Sequence, residues 1–122
     1  MKAKVLVVED NSAMRSLISS ALEQHLNVDV HEAENGFSAL KAIPEDGFQL
    51  IITDINMPDI NGLELISFLR NHPVYKDIPI VIISTESSEN DRKRGMQIGA
   101  NDYRVKPFTD GELVNVIQKY LA

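Results

Sequence analysis

Apolar residues are concentrated in five short runs that are separated by longer segments of mixed polarity. The runs cover residues 5–8, 28–30, 50–52, 80–83 and 103–105. The first, third and fourth runs are continuous rather than alternating, which is typical of strands buried on both faces of a parallel sheet. The second run alternates around Asp29, so we expect that strand to lie nearer an edge of the sheet.

The segments between these runs show helical periodicity. In two segments, apolar residues repeat at intervals of three and four and predict amphipathic helices. The first stripe consists of Met14, Leu17, Ile18, Ala21 and Leu22, and the second of Leu113, Val114, Ile117 and Leu121. Shorter helices are predicted at 37–43, 63–69 and 90–98, where a parallel sheet needs crossovers. Thr109 and Glu112 form a capping box that predicts the start of the last helix, and Pro44 is expected in a connection.

The alternation of strands and helices predicts an α/β fold of five βα units, in which helices cover both faces of a five-stranded parallel sheet. A chain of 122 residues has the usual size of one domain, so we expect residues 1–122 to form a single unit. Sheets of this kind bind ligands beyond the carboxyl ends of their strands. The residues that follow the strands are therefore the first candidates for function.

Composition narrows the possible partners and compartments. Twelve Lys and Arg residues against eighteen Asp and Glu residues give a formal net charge of -6, which opposes direct binding to nucleic acid or to anionic lipid. The absence of cysteine fits a reducing compartment. No apolar run approaches the roughly 18 residues that a membrane-spanning helix needs. We expect a cytoplasmic protein without a membrane anchor.

Polar residues follow four of the five predicted strands. They are Glu9, Asp10, Asp54, Ser84 and Lys106. If the first and third strands are neighbours, three carboxylates converge, and they repel each other unless a cation is present. Such an all-oxygen set suits Mg²⁺. With a hydroxyl and an ammonium added, the groups match those needed for phosphoryl transfer, and Asp54 is the candidate acceptor because a carboxylate can form an acyl phosphate.

Four motifs along the chain carry a family resemblance. They are Val-Val-Glu9-Asp10-Asn-Ser, Thr-Asp54-Ile-Asn56-Met57-Pro58-Asp-Ile-Asn-Gly62, Ile-Ile-Ser84-Thr85-Glu86 and Val-Lys106-Pro107-Phe108. In this order they resemble a response-regulator receiver domain of the CheY-like single-domain type, over essentially the whole chain. The resemblance implies a flavodoxin-like, doubly wound (βα)5 sandwich with the strand order 2-1-3-4-5.

The resemblance also implies how individual residues act. Asp54 would take a phosphoryl group from a histidine kinase, while Ser84 and Lys106 would hold the phosphoryl oxygens. The implied ligands of Mg²⁺ are Glu9, Asp10, Asp54 and the backbone carbonyl of Asn56. Two positions depart from the commonest pattern, because Glu9 stands where Asp is also frequent and Ser84 stands where Thr is common. Neither departure removes a required group.

The resemblance further implies a switch. In the family, the positions of Ser84 and Tyr103 move together on phosphorylation and alter the face of the fourth helix, fifth strand and fifth helix, where an unknown downstream protein would bind. Asn56 and Glu86 take positions that tune the phosphoryl lifetime. The implied protein is a phosphoacceptor that at most catalyses its own phosphorylation and dephosphorylation, acting as a monomer or phosphorylation-dependent dimer in chemotaxis-type signalling.

Other functions remain open at this point. A dehalogenase-type phosphatase would carry the motif Asp-x-Asp, where this chain has Asp54-x-Asn56. An FMN protein would need a phosphate-binding loop after the first strand, where the charges of Glu9 and Asp10 repel phosphate. A phosphorylation-independent binding module with the same fold is a further alternative. The chain would also fit a receiver fragment of a longer hybrid signalling protein.

Overall fold

Strands and helices alternate along the chain in the computed structural model, which describes residues 2–57, 60–85 and 89–121. The strands are β1 (Ala3–Val8), β2 (Val28–Ala33), β3 (Leu50–Thr53), β4 (Ile80–Ser84) and β5 (Asp102–Val105). The helices are α1 (Ser12–His25), α2 (Gly36–Asp46), α3 (Gly62–Arg70), α4 (Glu89–Gln97) and α5 (Asp110–Leu121). No helix of the described segments has the length and apolar character needed to cross a membrane.

The five strands form one parallel sheet in the order β2-β1-β3-β4-β5. The predicted fold class and strand order are therefore confirmed. β1 lies between β2 and β3, and its last residue, Val8, pairs with Ala33 on one side and with Thr53 on the other. Because parallel strands end at the same edge of a sheet, the residues that follow β1 and β3 lie side by side.

Apolar side chains alternate between the two faces of the sheet and form two separate cores. One face carries Leu6, Val8, Ile51, Ile80, Ile82 and Tyr103, which pack with Ala39 and Ile43 of α2 and with Leu65, Ile66 and Leu69 of α3. The other face carries Val5, Val7, Leu50, Ile52, Val81 and Ile83, which pack with Ile18 and Leu22 of α1 and with Leu113 and Ile117 of α5. Burial on both faces explains why these strands are continuously apolar.

Element boundaries differ from the predicted ones by a few residues. β2 continues to Ala33, well beyond the predicted end at residue 30, because the polar residues of this edge strand still pair with β1. The second helix extends over Gly36–Asp46 and therefore includes Pro44, so the expected position of Pro44 in a connection is wrong.

Asparagine side chains begin three helices at the carboxyl edge of the sheet. Asn11, Asn35 and Asn61 accept hydrogen bonds from the backbone amides of Met14, Ser38 and Glu64, at 2.9, 2.8 and 2.9 Å. These caps satisfy amides that a helix cannot pair internally. The predicted capping box of α5 is confirmed by reciprocal bonds of 3.1 Å between Thr109 and Glu112. Helices therefore leave the functional edge with fixed starting points.

Candidate functional site

Three carboxylates meet at the carboxyl edge of the sheet. Glu9 and Asp10 follow β1, Asp54 follows β3, and one oxygen from each lies within 4.8 Å of the others. Glu9 is 2% exposed and Asp54 is 9% exposed, whereas Asp10 is exposed to solvent. The structure thus brings together the three acidic residues that the sequence singled out. Such a cluster of like charges needs a compensating cation.

The backbone around Asp54 is tightly constrained. Its amide donates to the carbonyl of Val8 at 3.1 Å, and its Oδ1 accepts from the amide of Ile55 at 2.7 Å. A Cβ added to Gly62 would lie 2.0 Å from the Asp54 carbonyl oxygen, and the Gly62 amide donates to the Ile55 carbonyl at 2.9 Å. Only glycine at position 62 therefore allows α3 to begin against the acceptor segment.

Lys106 brings an ammonium group to two of the carboxylates. Its Nζ lies 2.5 Å from Glu9 Oε1 and 3.5 Å from Asp54 Oδ2, and its side chain is 7% exposed. Lys106 follows β5, and its amide donates to the Ser84 carbonyl at 2.8 Å. The peptide bond between Lys106 and Pro107 is cis. The lysine thus lies closer to the first acidic residue than to the candidate acceptor.

The environment of Glu9 opposes its negative charge. Burial raises the pKa of Glu9 above its ordinary value, the hydrogen bond from Lys106 lowers it, and the charge of Asp54 raises it again. The pKa of Glu9 stays raised because a single ammonium group compensates the charges of two enclosed carboxylates only in part. An additional cation at this cluster would relieve it.

Ser84 and Tyr103 occupy one face of the sheet beneath α4. Ser84 ends β4 and is fully buried, and Tyr103 is paired with Ile82 and is also buried. Side chains alternate along a strand, so Ser84 shares the face of Ile82. Gly95 of α4 lies so close that an added Cβ would be 2.6 Å from Ile82 Cδ1 and 3.7 Å from Tyr103 Cδ2. Both expected switch residues therefore lie in a tightly packed layer.

An open cleft of about 460 Å³ borders the carboxylates. Asn56 is exposed and lines it, together with Asp10, Asp54 and Lys106. Glu86, the other residue expected to tune the phosphoryl lifetime, lies outside the described residues. Thr85 lines the cleft as well, although the sequence analysis assigned it no role. Its position two residues beyond the predicted strand at 80–83 was the available signal.

Helix α1 provides the apolar wall of the cleft. Ala13, Met14 and Leu17 line it, and Leu17 is 49% exposed. Leu17 belongs to the predicted apolar stripe of this helix but stays exposed, because the stripe is wider than the area that α5 and the sheet cover. Ile18 and Leu22 of the same stripe are buried. Periodicity identifies an apolar face but not how much of it is covered.

The family model of the response regulator receiver domain matches residues 5–118. The chain belongs to this family. It is similar to a chemotaxis protein CheY homolog of Campylobacter jejuni, at 38% identity over 120 residues, which are 98% of this chain and 92% of the relative. It is also similar to chemotaxis protein CheY1 of Helicobacter pylori, at 40% identity over 120 residues, covering 98% of this chain and 97% of the relative.

A solved structure supports the same assignment. Chemotaxis protein CheY4 of Vibrio cholerae matches with a TM-score of 0.92 and 34% identity, covering 99% of this chain and all of the other. As a receiver domain, the chain is a phosphorylation-controlled switch of a two-component system, and a phosphoacceptor rather than a classical enzyme. Its class of partner is a histidine kinase as phosphodonor, with a downstream protein as recipient of the signal. A phosphorylation-independent role is not favoured.

The acidic cluster of this receiver fits a divalent cation. Receiver domains typically use Mg²⁺, and Glu9, Asp10 and Asp54 offer hard oxygen donors close enough to share one ion. Glu9 and Asp54 are enclosed carboxylates, while Asp10 borders the open cleft. The chemistry of the donor set and the incomplete compensation by Lys106 therefore both suit Mg²⁺.

Proposed function

We propose that Asp54 is the phosphoryl acceptor of this receiver. The observation that carries the proposal is the convergence of Asp54 with Glu9, Asp10 and Lys106 at one edge of the sheet, within reach of an open cleft. An aspartate at this position needs no general base, because a carboxylate is ordinarily ionised near neutral pH. The remaining groups serve to bring a highly charged donor close to it.

In the proposed reaction, an oxygen of the Asp54 carboxylate attacks the phosphorus of a phosphohistidine on the kinase. A P–O bond forms to Asp54 as the P–N bond breaks, and the electron pair of that bond remains on the imidazole. The Ile55 amide holds Oδ1 at 2.7 Å, while Oδ2 faces Lys106 at 3.5 Å. This arrangement restrains the rotation of the carboxylate, so the acceptor is oriented before the donor arrives.

Lys106 and Ser84 are proposed to bind the transferred group. The ammonium of Lys106 offers three donors and can contact a phosphoryl oxygen without leaving the enclosed site. Ser84 is proposed to donate its hydroxyl hydrogen to another phosphoryl oxygen. Glu9, Asp10, Asp54 and the backbone carbonyl of Asn56 are the proposed ligands of Mg²⁺. When bound, this ion supplies positive charge that offsets the repulsion between the carboxylates and the incoming phosphoryl group.

The chain is also proposed to catalyse its own phosphorylation from small acyl phosphates and its own dephosphorylation. Asn56 lies exposed in the cleft, two residues after the acceptor, where it can influence the approach of water to the phosphoryl group. Glu86 is proposed to act in the same way. Both residues would therefore set the lifetime of the signal rather than permit its formation.

The output surface is proposed to be the face formed by α4, β5 and α5. Its support is the close packing of Gly95 on Tyr103 and Ile82, because a shift of Ser84 at the end of β4 would be transmitted to α4 through this layer. The names of the relatives support chemotaxis-type signalling. Residues 1–122 are proposed to act as one receiver unit in the cytoplasm, as a monomer or as a phosphorylation-dependent dimer.

Labelling with an acyl phosphate tests the acceptor. With acetyl phosphate and Mg²⁺, intact-protein mass spectrometry should show one added phosphoryl group on the wild type and none on Asp54→Ala. Asp29→Ala serves as a matched control, because Asp29 is an exposed aspartate of β2 far along the strand from the cleft. Equal labelling of wild type and Asp54→Ala would contradict the proposal.

Amide chemical shifts test the output surface. Phosphorylation should move the resonances of α4, β5 and α5, including Tyr103, more than those of α2, and Asp54→Ala should show no such change. Changes confined to the cleft would contradict the proposed route from Ser84 to Tyr103.

A further inference from the structure

Arg15 lies behind the acidic cluster rather than inside it. Its Nη1 donates to the backbone carbonyl of Glu9 at 2.8 Å, and its Nε donates to Glu32 Oε1 at 2.9 Å. The arginine side chain is 18% exposed and the glutamate is 41% exposed. Together with Glu34 and Ser38, this ion pair lines a separate groove. Arg15 therefore approaches the site through the backbone.

The carbonyl that Arg15 contacts is the first one beyond the sheet. β1 ends at Val8, and the last bonds of its ladder are Glu9 N to Ala33 O at 3.0 Å and Asp54 N to Val8 O at 3.1 Å. The Glu9 carbonyl thus lies one residue past the β1–β3 pairing. Arg15, one turn into α1, supplies a charge-assisted donor at this point.

Fixing this carbonyl restrains the backbone from which both acidic side chains after β1 extend. The peptide bond is planar, so an anchored Glu9 carbonyl also determines where the amide nitrogen and Cα of Asp10 lie. The Glu9 amide is already held by Ala33, and Arg15 is itself held by Glu32, the neighbour of Ala33 in β2. The end of β2 therefore supports both sides of the Glu9 backbone.

We infer that Arg15 is a positioning residue for the cation site, acting by holding the peptide plane between Glu9 and Asp10. This inference rests on the proposed function, because it requires that the acidic cluster bind Mg²⁺. Groups that orient metal ligands without touching the metal typically change metal affinity by a factor of ten or more when removed. Arg15 is placed to do so through the main chain of two carboxylates.

Isothermal titration of the full chain with Mg²⁺ tests the inference. Arg15→Met should raise the dissociation constant by about tenfold. Electrostatics alone predicts the opposite direction, because removing a positive charge near a cation site strengthens cation binding. Arg15→Lys retains a donor for the Glu9 carbonyl and should recover part of the affinity. It also serves as the test variant if Arg15→Met does not fold.

Arg70→Met is the matched control. Arg70 also donates to backbone carbonyls, those of Gly99 and Lys76, but at the opposite edge of the sheet. Urea unfolding in EDTA should show a loss of stability for both Met variants. The Mg²⁺ dissociation constant of Arg70→Met should nevertheless stay within about twofold of wild type, because this substitution leaves the metal ligands and their supports intact.

The outcomes separate the inference from the proposed function. An unchanged or lower dissociation constant in Arg15→Met, with clear binding by the wild type, overturns the role of Arg15 alone. An equal rise in Arg70→Met also overturns it, because the effect would then follow stability. If the wild type binds no Mg²⁺, the proposed cation site fails, and the role of Arg15 fails with it.

Discussion

Two cationic side chains lie at opposite edges of the sheet and have very different partners. At the carboxyl edge, Lys106 faces the carboxylates of Glu9 and Asp54. At the amino edge, Arg70 donates to the carbonyls of Gly99 and Lys76 and to Oδ1 of Asn101, at 2.9, 3.1 and 3.0 Å. Lys106 thus faces charged groups that repel each other, whereas these three partners of Arg70 are neutral acceptors.

The difference separates a structural contact from a functional one. Asn101 Oδ1 also accepts from the amide of Ile80 at 2.8 Å, so Arg70 joins α3 to the starts of β4 and β5 through neutral groups. Burial lowers the pKa of Arg70, and the charge of Asp77 raises it, but the guanidinium remains charged. At the other edge, one ammonium compensates two enclosed carboxylates. Stability alone would favour a neutral residue in place of one of these carboxylates, so the pair of carboxylates points to chemistry.

Glycine substitutions should give the largest contrast between the two edges. Gly62→Ala should lower the free energy of unfolding by about 3 kcal/mol, because the added methyl group would meet the backbone carbonyl of Asp54, which cannot move aside. Gly99→Ala should cost about 2 kcal/mol from backbone strain at its positive φ. There the nearest atoms belong to the Arg70 side chain rather than to the backbone. Urea unfolding measures both values.

The two glycine variants should also differ in function. Gly62→Ala should slow phosphorylation by acetyl phosphate, whereas Gly99→Ala should leave its rate near that of the wild type. Gly111→Ala in α5 is the control, since an added Cβ meets nothing nearer than 3.9 Å. Equal rates for Gly62→Ala and wild type would contradict the view that Gly62 positions the acceptor.

Magnesium should stabilise the protein through the carboxyl edge alone. At a concentration a hundred times its dissociation constant, Mg²⁺ should raise the free energy of unfolding by about 2.7 kcal/mol, because it binds the folded state. Asp10→Asn should lose most of this increase, while Arg70→Met should retain it. Unfolding with Mg²⁺ or with EDTA makes the comparison, and an equal increase in Asp10→Asn would exclude Asp10 from the cation site.

The second substitution of each pair should change stability in opposite directions at the two edges. Lys106→Met should cost about 2 kcal/mol in EDTA, because it leaves enclosed carboxylates without a cation. Adding Glu9→Gln should restore part of this loss by removing one of the uncompensated charges. Urea unfolding of Lys106→Met and of the double variant measures this difference.

The same cycle at the amino edge provides the control. Arg70→Met should also cost about 2 kcal/mol, but adding Asn101→Ala should lower stability further, since it removes the side-chain oxygen that accepts from the Ile80 amide. A restoring effect of Asn101→Ala, or a further loss on adding Glu9→Gln to Lys106→Met, would contradict the distinction between the two edges.

Much of the fold follows from local patterns that the sequence contains. Continuous apolar runs predicted the buried strands, and the Thr109 capping box marked the start of α5. Other features depend on distant parts of the chain. The length of β2 depends on pairing with β1, and the exposure of Leu17 depends on what covers α1. Neither can be derived from periodicity.

The sequence by itself determined the family, the alternation of strands and helices, and the acidic, hydroxyl and amino groups that follow the strands, because these depend on neighbouring residues. Tertiary structure decided which groups meet. Lys106 lies closer to Glu9, 97 residues away, than to Asp54, and Arg15 reaches the first carbonyl beyond β1. Such contacts depend on strand order, register and helix placement, which are set by packing across the whole sheet rather than by any single segment.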